Sequence, residues 1–188
     1  RRRLGTRVLP LRLRRCISST RRGVRIYLST RLFCMDRLAR AYIGGMAVNG
    51  CVVRGVRGYL LRWLGSLGFK TSDGAVELPK TYCRYAPASL LEHIYFIKGA
   101  FEAHGEFFMG DPHGREVLVI FKTGSRKLAK SLRLLGLAPL VTADEAGVSR
   151  FIVLYERRDV KRFVKLVKPV VEDVHIAEAL GLCGRRTL

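Results

Sequence analysis

A chain of 188 residues is long enough for one domain, or for two small halves sharing a core, and 48% apolar content is that of a folded globular protein. Lys and Arg number 35 against 15 Asp and Glu, and the formal charge of +20 is far more than solubility requires, so the expected partner is a polyanion. No uninterrupted apolar run approaches the ~20 residues that span a bilayer, which excludes a membrane-spanning helix and predicts a soluble or particle-bound protein.

Minor counts add to this. Five cysteines (Cys16, Cys34, Cys51, Cys83, Cys183) form no CxxC and stand at no zinc-finger spacing from His93, His104, His113 or His175. A reduced intracellular chain without structural zinc is expected. There is no Gln, and Asn49 is the only Asn. Loss of these thermolabile amides points to a thermophile, against which the five cysteines stand.

The chain opens with an arm. Eleven arginines and no acid precede Asp36, so residues 1–34 carry +11 and the remainder +9. Such a segment is too charged to fold on itself. Arg1, Arg2, Arg3, Arg7, Arg12, Arg14, Arg15, Arg21, Arg22, Arg25 and Arg31 are interleaved with Leu, Val, Ile and Tyr27. That pattern suits an extended strand threading along folded RNA, with guanidinium forks on phosphates and apolar side chains in crevices. A mitochondrial transit peptide or a merely solvated charge run has similar composition. The basic remainder of the chain favours RNA.

Residues 35–188 read as a second unit, with a first half at 35–87, a second at 88–170 and a tail at 171–188. In the first half, DRLARAYIGGMAVNG predicts a helix that Asp36 can cap and Asn49-Gly50 can close. CVVRGVRG follows, then a leucine-spaced helix, an LG stop, a strand, a Gly turn and a strand ending near Tyr82.

The second half begins at SLLEHIYFIKGAFEAHG, where Ser89 and Glu92 form an S-x-x-E capping box and Gly105 is the stop. EFFM, a DPHG turn at Asp111–Gly114 and REVLVIFK predict a hairpin. A helix at about Ser125–Leu135 carries Leu128, Leu132 and Leu135 at helical spacing. APLVTA and SRFIVLYE predict two strands about an ADEAG turn, and a last helix sets Val160, Phe163, Val164 and Val167 on one face. The order is αββαββα. The first half repeats this unit with only CVVRGVRG in place of the hairpin, so its sheet is expected to be smaller.

Both initial helices carry small residues on one face, Gly44, Gly45 and Ala47 in one and Gly99, Ala100 and Ala103 in the other, which allows close backbone approach. Basic residues in strand and turn regions, Arg54, Arg57, Lys80, Arg84, Arg115, Lys122, Arg126, Lys127 and Arg150, are candidate RNA contacts. Lys161, Arg162, Lys165 and Lys168 form a row that is either a solvated face or a further contact. Phe107, Phe108, Phe121, Phe151 and Tyr155 lie in apolar strand runs and are expected in the core.

Gly44–Gly50 and Gly99–Gly105, each ending a helix and followed by strands, resemble the paired motif helices of the LAGLIDADG homing endonucleases over roughly residues 35–170. The resemblance implies an α+β fold: a pseudo-twofold tandem of αββαββα units with antiparallel sheets, the first abbreviated, behind the basic arm. It implies motif helices packed at the pseudo-twofold axis, a sheet saddle that lies on DNA, and a metal-binding acid before each final glycine. Here those positions are Asn49 and His104. Neutral Asn brings no charge and His suits transition metals better than magnesium, so no metal, no other cofactor and no cleavage are expected. The resulting expectation is a non-catalytic, cytoplasmic, ribosome-bound protein contacting ribosomal RNA and neighbouring ribosomal proteins, with no membrane or small-molecule partner. An archaeal large subunit is preferred. The alternatives are an active or divergent homing endonuclease, an RNA-splicing maturase and a DNA-binding regulator of the same ancestry.

Overall fold

The computed structural model describes residues 36–110, 116–147 and 150–170, together with 176, 179 and 180. The arm, the Asp111–Gly114 turn and Arg115 lie outside the described residues. In the first half, α1 (Arg37–Met46) runs into a 3₁₀ turn (Ala47–Asn49). Strand β1 (Val52–Val53), α2 (Gly58–Ser66), β2 (Lys70–Ser72), β3 (Ala75–Glu77) and α3 (Lys80–Cys83) follow. The second half is α4 (Leu90–His104), β4 (Gly105–Met109), β5 (Val117–Phe121), α5 (Arg126–Leu134), β6 (Leu140–Ala143), β7 (Arg150–Leu154) and α6 (Arg157–Val167), in the expected αββαββα order.

The strands form two antiparallel sheets, β1-β3-β2 and β4-β5-β7-β6. The fold is therefore α+β with an abbreviated first unit, where the two-residue β1 stands in place of the β4–β5 hairpin. Sequence and structure differ after β3, because the segment around Tyr82 is the short helix α3 and not a strand. Pro79 has no N–H to give a ladder, and it fills the N-cap position of α3 instead. Cys51 and Cys83, expected as thiols, are joined by a disulfide with their Cα atoms 5.3 Å apart. Closing a loop of this length is worth about 3–4 kcal/mol in the chain-entropy model.

Asp36 occupies the N-cap of α1 without a side-chain bond. At α4 the capping box forms: the Glu92 backbone N–H donates to Ser89 Oγ at 3.3 Å. The Glu92 carboxylate reaches one residue further back than the usual box, accepting the Ala88 N–H at 2.9 Å, and also takes the Tyr85 hydroxyl at 2.9 Å and Arg37 Nε at 3.0 Å. Above all the Ala88 N–H holds this buried carboxyl below its ordinary range. Glu92 thus ties the start of α4 to the start of α1.

Each half has its own core. Phe101 meets Phe107, Phe121 and Phe163 at centroid distances of 5.0–5.8 Å in the second, while Ile43, Met46, Leu60, Leu64 and Val76 fill the first. Strand alternation overrides the expectation for three aromatics, Phe108, Phe151 and Tyr155, which lie outside the core. Phe107 and Met109 of β4 point into the core, which turns Phe108 outward, and Phe108 and Tyr155 are 52% and 54% exposed.

The halves meet where α1 crosses α4. A Cβ on Gly45 would lie 1.9 Å from the Phe96 carbonyl oxygen, and one on Gly99 would lie 1.9 Å from the Tyr42 carbonyl oxygen. Each glycine therefore receives the backbone three residues before the other, a reciprocal contact expected of a pseudo-twofold axis. Gly44 faces the Tyr85 side chain instead. Gly45, one residue later than the motif alignment suggests, is thus the partner of Gly99.

The 3₁₀ turn compensates for this offset. Rising about 2.0 Å per residue against about 1.5 Å in an α-helix, it carries the four steps from Gly45 to Asn49 about 7.5 Å, equal to the five α-helical steps from Gly99 to His104. Gly45→Ala or Gly99→Ala should cost about 3 kcal/mol or more by urea denaturation, since backbone must move. Gly44→Ala should cost less, because the neighbour is a side chain.

Candidate functional site

The two motif positions meet at the carboxyl ends of α1 and α4. His104 Nε2 donates to the Met46 carbonyl at 2.8 Å, which leaves Nδ1 as the acceptor of a neutral ring. Asn49 Nδ2 stands 3.5 Å from that Nδ1 and donates to the Lys122 carbonyl at 3.1 Å. Lys122 in turn donates its backbone N–H to the His104 carbonyl at 2.8 Å. The two side chains are consequently tied to each other and to backbone. Burial lowers the His104 pKa, and the Met46 carbonyl partly opposes this.

A divalent ion of the kind the resemblance implies needs hard oxygen ligands, and these residues do not fit one. Asn49 offers one neutral oxygen, and the His104 nitrogens are both engaged. The flanking acids have other partners. Glu106 pairs with Lys122 Nζ at 2.8 Å. Glu102 is buried, accepts the Tyr42 hydroxyl and lies 3.9 Å from Lys98 Nζ. Burial and this carboxylate push the Tyr42 hydroxyl pKa strongly upward. Among the described residues no group of three His, Cys, Asp or Glu side chains is placed to hold a metal.

Beside Asn49 an open depression of about 560 Å³ is lined by Lys122, Thr123, Gly124, Arg150 and Phe151. Arg150 and the Glu106-paired Lys122 are its charged lining, and no carboxylate lines it.

The sheet face turned away from the helices, the side the resemblance lays on DNA, carries few charges. Pairing of Phe108 with Leu118, Ile120 with Val153, Leu140 with Val153 and Thr142 with Phe151 sets these residues on one surface, outside both cores. That surface is largely aliphatic and aromatic. Its charged neighbours Glu106 and Lys122 are paired, as are Lys70 and Glu77 (3.7 Å) on the smaller sheet.

The candidate contacts are dispersed. Arg54, Lys80 and Arg84 are exposed in the first half and Arg57 is half-buried at the N-cap of α2. Arg126 and Lys127 are exposed at the start of α5, with Lys127 Nζ donating to the Tyr85 carbonyl at 3.2 Å. The arm arginines and Arg115 lie outside the described residues. The small residues are also divided: Ala47 and Ala100 are buried, and Ala103 is half-buried against the first core.

Sequence reading passed over Lys130, Arg133, Arg157 and Arg158, which are exposed on α5 and α6. Their helical spacing from Arg126, Lys161 and Arg162 was the available signal. The Tyr42–Glu102 bond was also missed, since 60 residues separate the partners.

His104 generates a pH prediction. Its folded pKa lies below the ordinary 6.5, so the unfolded chain binds the proton first. Stability should be full above about pH 6.5 and fall as pH drops from there toward the folded value. Urea unfolding between pH 5 and 8 should show this slope in the wild type and a shallower one in His104→Gln, with His93, also lowered by burial, supplying the remainder. His104→Ala, which leaves the Met46 carbonyl without its donor, should cost about 1–3 kcal/mol at pH 8.

No protein-family model matches the chain, and no curated protein does. Solved structures do. The N-terminal LAGLIDADG domain of DUF199/WhiA superposes with a TM-score of 0.56 at 12% identity, covering 76% of this chain and 87% of that one. Full-length DUF199/WhiA from Thermatoga maritima gives 0.53 at 12% identity, and the match covers 78% of this chain but only 60% of that protein's length. I-DmoI in complex with DNA and Mn gives 0.47 at 16% identity, too loose to carry weight. The arrangement of two glycine-packed helices flanked by antiparallel sheets is the LAGLIDADG-type fold.

Proposed function

We propose that this chain is a non-catalytic nucleic-acid-binding protein, and that its partner is the RNA of a ribosomal subunit. The observation that carries the first part is the pairing of Asn49 and His104. In-line hydrolysis of a phosphodiester needs metal-held oxygens at the two motif ends, and here those ends are tied to each other, to Met46 and to Lys122.

Charge supports the second part. A body of +9 joined to an acid-free arm of +11 suits a densely folded polyanion, and arginine forks between apolar residues suit the crevices of structured RNA. The arm threads between RNA helices while residues 35–188 dock on the subunit surface. Cytoplasmic, ribosome-bound placement follows from this reading, as does the preference for an archaeal large subunit.

Sedimentation of a native lysate through a high-salt sucrose gradient tests it. Each phosphate contact adds roughly 0.7–0.9 to the slope of log affinity against log salt, so casual electrostatic binders wash off. Quantitative mass spectrometry should find near one copy per subunit after the wash. Absence from the ribosomal fractions would remove the ribosomal assignment, and metal-dependent cleavage by the purified chain would remove the non-catalytic one.

A further inference from the structure

Exposed charge on the described residues differs between the larger sheet and the helices α5 and α6. On the sheet side Lys122 and Lys70 are neutralised by Glu106 and Glu77. Between them the larger sheet presents Phe108, Leu118, Ile120, Phe151, Val153 and Leu140. A phosphate backbone laid on this surface would lose water against side chains that offer no donor. Arg150, at the rim, is a single cation.

The helical side is the reverse. Helix α5 exposes Arg126, Lys127, Lys130 and Arg133. Helix α6 exposes Arg157, Arg158, Lys161, Arg162 and Lys165, with Lys168 at its C-cap. Against these ten stand the exposed Glu156 and the buried Asp159, and Asp159 is committed to the Ala138 N–H at 2.7 Å. Arg37, Lys70, Lys98 and Lys122 are in ion pairs, and among the described residues none of the ten is.

The two helices form one layer. Leu128 and Leu132 of α5 enter the same core as Val160 and Phe163 of α6. The turn after α5 is pinned to α6 by the Ala138–Asp159 bond and by Gly136, which lies against the Arg162 guanidinium.

A helix face kept only for solubility mixes signs, because like charges four residues apart repel. Here Arg126–Lys130, Arg157–Lys161, Arg158–Arg162 and Lys161–Lys165 are all like-charged pairs at that spacing. The repulsion is unrelieved within the described residues, and a row of phosphates relieves it.

We infer that nucleic acid lies along the α5–α6 layer and not on the open sheet face, an inference that rests on the proposed binding of nucleic acid. The ligand class is a structured phosphate backbone held by arginine forks and lysine point charges, which positions the protein without reading bases.

Two charge-matched variants of the full chain test this. One carries Lys130→Glu, Arg133→Glu and Lys161→Glu. The other carries Arg40→Glu, Arg62→Glu and Lys70→Glu, all exposed, outside the layer and outside the candidate contacts. Circular dichroism checks that both fold, and fluorescence anisotropy follows binding to a labelled RNA hairpin and a labelled DNA duplex from 50 to 300 mM salt.

The helical variant should bind the RNA about 100-fold more weakly near 0.1 M salt, with a salt slope lower by about 2–3. The matched variant should stay within a few-fold of wild type. Equal losses in both would reduce the effect to net charge and overturn the inference. Unchanged binding in the helical variant would assign the contact to the arm or the sheet and also overturn it. Wild-type protein that binds neither probe at 50 mM salt would instead defeat the binding function itself.

Discussion

The structure depends on one close approach, the exchange of backbone contacts at Gly45 and Gly99. With a carbonyl oxygen 1.9 Å from where each Cβ would stand, any side chain at either position forces α1 and α4 apart. Their separation sets everything attached to their carboxyl ends. Gly105 turns directly into β4, and Gly50, with a φ of +135° that favours glycine, leads the chain toward β1. Both sheets are hung from the crossing, and the same crossing brings Asn49 to His104.

Around that axis the halves are unequal. The second has a four-stranded sheet, a cluster of aromatic rings and two amphipathic helices, whereas the first has a three-stranded sheet and a disulfide across its shorter frame. The 3₁₀ turn at the end of α1 is the local counterpart of this asymmetry. It lengthens the rise per residue so that a helix one residue shorter past its packing glycine still places Asn49 beside His104. A neutral amide and a neutral imidazole can share that position, whereas two unneutralised carboxylates there would repel. The bonds to Met46 and Lys122 hold both side chains at the junction.

Much of the second half was legible in the sequence because its signals are local. Ser89 and Glu92 announced the start of α4, the alternation in VLVIF announced β5, and the spacing of Val160, Phe163, Val164 and Val167 announced the buried face of α6. What escaped depends on register or on distant partners. The choice of Gly45 over Gly44 follows from where the helix tightens, which adjacent glycines do not reveal. The outward turn of Phe108, Phe151 and Tyr155 follows from strand parity, and the Cys51–Cys83 and Tyr42–Glu102 pairs follow from tertiary approach. Charge was legible as a total. Its distribution between the larger sheet and the helices α5 and α6 required knowing which residues share a surface.

Asn49 and His104 are held by hydrogen bonds at the junction of the motif helices, and the His104 ring reports on that arrangement most directly. A long-range proton–nitrogen correlation spectrum of the histidine side chains at pH 7, recorded without and with Mg²⁺, Mn²⁺ or Zn²⁺, reads its protonation and tautomer. The bond from Nε2 to the Met46 carbonyl predicts a neutral ring protonated on Nε2 whose shifts do not move when any of the metals is added. A charged imidazolium at pH 7, the opposite tautomer, or shifts that follow metal concentration would contradict it and restore the junction as a candidate catalytic centre.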